Sequence, residues 1–77
     1  MEYTREELLE AKRQIDSTLH KLREVLKTLE GKGEPRRYAS QITLARRRID
    51  AFSLANGLIE AELEKQQSSE STQTNQQ

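Results

Sequence analysis

The sequence predicts an all-α protein, an antiparallel two-helix hairpin that dimerises into a four-helix bundle. Three observations carry this: apolar residues recur at heptad spacing in two separate stretches, a Gly/Pro-containing segment divides those stretches, and the composition is that of long helices. The chain has 77 residues, of which 34% are charged and 32% hydrophobic, with no tryptophan or cysteine. A chain of this size is one domain at most, and its burial is marginal.

The first helix is expected over residues 4–30. Thr4 and Glu7 have the S/T-x-x-E spacing of a capping box, and Tyr3 and Leu8 stand where a hydrophobic staple would hold the entering chain. Leu8, Ile15, Leu22 and Leu29 then recur every seven residues, with Leu19, Val25 and Leu26 filling the same face. Gly31 is the expected left-handed residue ending the helix, and Gly33 and Pro35 oppose its continuation, giving a turn over 31–34.

The second helix is expected over residues 35–66, with Pro35 in the first turn, where a missing N–H is harmless. One core register reads Ile42, Ile49, Asn56, Leu63 and the other Tyr38, Ala45, Phe52, Ile59. The short turn implies an antiparallel pair about 40 Å long at ~1.5 Å rise per residue. Residues 67–77 contain no apolar side chain, so ordering them has no offsetting burial and a disordered polar tail is expected.

Such a hairpin is not expected to stand alone. The ordering cost of about 1.5 kcal/mol per residue exceeds what one seam of this length recovers. The second helix also carries apolar residues beyond its core register. Leu44, Ala51, Leu54, Ala55 and Leu58 are the expected self-association residues, because so broad an apolar arc belongs to a helix buried on two sides.

Charge points to the orientation. Residues 19–48 hold nine basic and three acidic side chains, a net charge of +6, while the whole chain is neutral. A hairpin therefore has a basic loop end and an acidic terminal end. The expected dimer sets two second helices antiparallel about an axis near Leu54 and Ala55, bringing Arg46, Arg47 and Arg48 of one copy beside Glu60, Glu62 and Glu64 of the other. Asn56, the polar member of an apolar register, is placed to set helix register or to mark an edge of the seam, and Gly57 beside it suggests a close backbone approach.

The sequence excludes more chemistry than it suggests. Without cysteine there is no thiolate nucleophile, disulfide or sulfur-ligated metal. His20, the one histidine, falls on the polar side of the first helix, four residues after Asp16, and reads as a solvated residue. The acidic triplets Glu6, Glu7, Glu10 and Glu60, Glu62, Glu64 read as helix-start and solvated or ion-paired groups, and no Glu-x-x-His pattern, Gly-rich phosphate loop or Ser/His/Asp set is present. No catalytic residue, metal or cofactor is expected. No run approaches the ~20 apolar residues of a membrane span, and the acidic start MEYTREELLE is unlike a signal peptide, so the expectation is a cytoplasmic protein.

Lys12-Arg13-Gln14-Ile15-Asp16 resembles the opening of the long helix in dimers of the chorismate mutase type. The likeness covers about one turn, and neither a third helix nor a second basic set for a dicarboxylate pocket accompanies it. The stronger functional alternative is nucleic-acid contact through Arg36, Arg37, Arg46, Arg47 and Arg48, with Lys32 nearby. Consecutive helical residues spread around the circumference, however, so Arg46 to Arg48 do not form one flat patch. The reading carried forward is a small non-catalytic interaction or scaffold protein acting as a homo-oligomer, with a further protein partner possible.

Overall fold

The computed structural model describes the backbone of residues 2–34 and 36–76 and the side chains of residues 2–34 and 36–67. Two helices make up the fold, α1 (Arg5–Gly31) and α2 (Ala39–Gln76), packed against each other as a hairpin. The molecule is a rod of 62 × 21 × 17 Å. Its radius of gyration of 17.8 Å far exceeds the ~11 Å of a compact chain of this length.

α1 begins as its capping residues dictate. The Thr4 hydroxyl accepts the Glu7 N–H at 3.0 Å, and the Glu7 carboxylate accepts the Thr4 N–H at 2.9 Å, so two N–H groups that the helix cannot satisfy internally are paired. At the other end the structure differs from expectation. Gly31 is still helical, Lys32 caps the helix by donating its N–H to the Leu29 carbonyl, and the left-handed residue is Gly33, at φ 73°. The chain needed one glycine for the reversal, and the later of the two serves.

α2 also starts later than the expected position at residue 35. The Glu34 carbonyl accepts from both the Arg37 and Tyr38 N–H groups, closing a tight turn, and regular helix follows once the Tyr38 carbonyl accepts the Ile42 N–H at 2.8 Å. Pro35 itself lies outside the described residues. α2 is continuous to Gln76; the side chains of the polar stretch, expected over 67–77 to be disordered, lie outside the described residues from Ser68 on.

The seam follows the two heptads. Leu8, Ile15, Leu19, Leu22, Leu26 and Leu29 of α1 face Tyr38, just before α2, and Ile42, Ala45, Ile49, Phe52, Ile59 and Leu63 of α2, and each is at least partly shielded. Shielding is shallow. Among the described residues only Leu8, Leu19 and Ala45 are buried, and none is fully so. The chain exposes 6377 Å² of surface, roughly a third more than the ~4,800 Å² of a compact monomer of its mass.

Candidate self-association face

The two flanks of the seam differ in chemistry. In an antiparallel pair, each helix contributes one row of residues to each flank, so the rows at Glu30 and Arg46 share one side and those at Val25 and Leu44 the other. On the first flank, ion pairs cross between the helices. Arg46 pairs with Glu30 near the loop, and Lys12 pairs with Glu60 at 3.2 Å nearer the termini. Sequence reasoning set Arg46 and Glu60 against counterparts in a second copy; here each has a partner in its own hairpin, so the charges left for another molecule are Arg47, Arg48, Glu62 and Glu64.

Lys12, Asp16, Asn56 and Glu60 form one polar cluster on this flank. Asp16 accepts from Lys12 at 3.1 Å and from the Asn56 amide at 2.8 Å. Lys12 holds the Asp16 carboxyl below the usual carboxylate range, with Asn56 adding to the effect, and Asp16 followed by Glu60 raises the Lys12 ammonium above its ordinary value. Asp16 thus finds Lys12 and Asn56 rather than His20, which is exposed. The cluster is poorly closed on one side: the Asn56 Oδ1 is buried without a hydrogen-bond partner. Lys12 is the residue sequence reasoning missed. It stands seven residues before Leu19 and fourteen before Leu26, which makes it a polar occupant of the core register opposite Asn56.

The second flank is apolar and open. At the terminal end, Tyr3, Glu7, Leu8, Ala11, Ala55, Leu58 and Ile59 line a groove of about 340 Å³. At the loop end, Leu22, Val25, Leu29, Gln41, Leu44, Ala45 and Arg48 line a second groove of about 320 Å³. Of the five residues expected to mediate self-association, Leu44, Ala55 and Leu58 line these grooves, whereas Ala51 lies between them on the same helix. Leu54 lines neither and is 67% exposed, close to the 66% of Leu58. The other side of the grooves is made by Tyr3, just before α1, and by Ala11 and Val25 of α1. Tyr3 was expected at the helix start and Val25 in the seam, but Val25 is 49% exposed, and Ala11 had no expected role.

The basic residues do not gather into one patch. Arg46 is held by Glu30, Arg37 lies 3.9 Å from Glu34, and both Lys32 and Arg37 sit over the Tyr38 ring at 5.7 and 5.6 Å from its centroid. Arg36, Arg47 and Arg48 are exposed. No group of three or more potential metal ligands occurs among the described residues, and no described helix is long and apolar enough to cross a membrane. Gly57 has open space around it: an added methyl would meet nothing within 4 Å, so the close approach expected there is absent within a single hairpin. No family model, curated protein or solved structure matches this chain.

Proposed function

We propose that this chain is a small, non-catalytic interaction or scaffold protein of the cytoplasm that acts as a homodimer, two hairpins packing into a four-helix bundle. The observation that supports it is the imbalance of burial. Among the described residues three are buried within one hairpin, while Leu44, Leu58, Val25 and Tyr3 are left between 46% and 66% exposed. An apolar flank on so thin a seam is the usual signature of a surface that is covered in the working assembly. Sedimentation equilibrium at tens of micromolar tests this: the reading expects twice the chain mass of 8.9 kDa, and a single-chain mass in a folded sample overturns it.

A second reading, nucleic-acid association, has one observation in its favour, the exposure of Arg36, Arg47 and Arg48 at the end of the rod whose net charge is +6. Against it stand the internal engagement of Arg37 and Arg46 and the angular spread of Arg46 to Arg48. A pull-down with and without nuclease separates the two: a protein partner survives the treatment, and an association bridged by nucleic acid is lost.

A further inference from the structure

We infer that the two apolar grooves on one flank are halves of a single self-complementary interface, covered by a second copy of this chain turned end for end about a two-fold axis beside Thr18 and Ala51. This rests on the homodimer reading and specifies its geometry.

The argument starts from spacing. On α2, Leu44 and Leu58 stand seven residues either side of Ala51, about 10 Å each way at 1.5 Å per residue. On α1, Ala11 and Val25 stand seven residues either side of Thr18. All four outer residues line the grooves, two at each end. A two-fold axis in the plane of this flank, running across both helices at Thr18 and Ala51, therefore sets Leu58 of one copy over Leu44 of the other. It also sets the larger Val25 over the small Ala11, and so lays each groove upon the other kind. Thr18 and Ala51, which the axis crosses, are small, which lets the backbones come close where the copies cross, while Arg48, three residues from Ala51 and on a groove wall, carries its charge toward the rim of the interface.

Charge chooses this orientation over its rival. The alternative two-fold axis runs along the rod and stacks like ends together, a net +6 upon +6 at the loops and a matching acidic excess upon itself at the termini. Turned end for end, the basic loop of each copy covers the acidic end of the other. Glu62 then falls opposite residue 40 of the second copy, about one turn from Arg36 and Arg37. Area agrees as well. A flank 21 Å across and about 40 Å long over α1 offers roughly 800 Å², the share each partner contributes to a standard interface. The ion-paired flank, with Arg46–Glu30 and Lys12–Glu60, faces away.

The natural absence of cysteine makes disulfide trapping clean. Ala51→Cys, an exposed and nearly isosteric change, is expected to cross-link to itself under mild oxidation, because the two positions meet at the axis within disulfide reach. Leu44→Cys and Leu58→Cys are expected to yield little cross-linked product separately and a disulfide heterodimer when mixed. In parallel, Leu58→Ser is expected to halve the sedimentation mass, while Leu54→Ser, outside both grooves, leaves it unchanged. A dimer by mass that traps neither through Ala51→Cys nor in the Leu44→Cys and Leu58→Cys mixture overturns this geometry and spares the homodimer reading. A wild-type monomer overturns both.

Discussion

Replacing Asn56 with leucine probes the weakest point of the seam. Asn56 occupies a core register between Ile49 and Leu63, and its amide donates to Asp16 at 2.8 Å while its Oδ1 is buried without a partner. An unsatisfied buried acceptor costs about 1–3 kcal/mol, and Asn56→Leu abolishes it. The new side chain is half-buried and adds about 1 kcal/mol of apolar burial. Set against this is the lost hydrogen bond to a charged partner, worth at most about 1.5 kcal/mol here because Asp16 is half exposed and keeps Lys12. The balance is a stabilisation of about 1–2 kcal/mol, and a domain this small gains roughly 4–8 °C in melting temperature per kcal/mol. Thermal unfolding followed by circular dichroism, at one fixed chain concentration because association couples to stability, reads the effect. A melting temperature lowered by several degrees with unchanged sedimentation mass refutes the reasoning, since the Asp16–Asn56 bond would then outweigh both the orphaned acceptor and the added burial.

Three other outcomes are expected. Thr4→Ala removes the hydroxyl that accepts the Glu7 N–H, leaving only the backbone half of the capping box, and is expected to cost about 1 kcal/mol, read as a shift in the urea midpoint with unchanged slope. Gly57→Ala is expected to gain about 0.5–1 kcal/mol, because the site is helical and nothing obstructs a methyl; a loss in thermal unfolding would reveal a close neighbour that a single hairpin lacks. For pH, the lowered Asp16 value means its contribution is present above the ordinary carboxylate range and is lost as pH falls through the folded value. The raised Lys12 value means its contribution is present below the ordinary lysine value and lost as pH rises through the folded one. The difference in urea midpoint between wild type and Lys12→Met is thus expected to be greatest between about pH 5 and 9 and to shrink at both extremes; a pH-independent difference refutes the pairing.

Much of the fold was readable because its determinants are local or periodic. Thr4 and Glu7 act within one turn, and the heptads from Leu8 to Leu29 and from Tyr38 to Leu63 both define the helices and orient them toward each other. What escaped was set by cross-helix geometry. Val25 is apolar and near the stripe, yet it stands on a groove wall, since an apolar residue at the stripe's margin is assigned to seam or flank only by its neighbour. Lys12 was passed over for the opposite reason: it breaks the apolar pattern at a core position, and only Asp16 one turn along α1 and Glu60 across the seam make that position comfortable for a cation. The reversal falls at Gly33 rather than Gly31, a choice the local rule left open because both glycines satisfied it.

Because the cross-helix ion pairs and the apolar grooves occupy opposite sides of the rod, closing the hairpin and meeting another molecule are physically separable traits. Exchanges among Lys12, Glu30, Arg46 and Glu60 alter how firmly one chain holds its own shape, whereas exchanges among Ala11, Val25 and Leu58 reshape the groove walls. Substitution on the salt-bridged side can therefore tune the hairpin to temperature or ionic strength while the groove walls stay as they are.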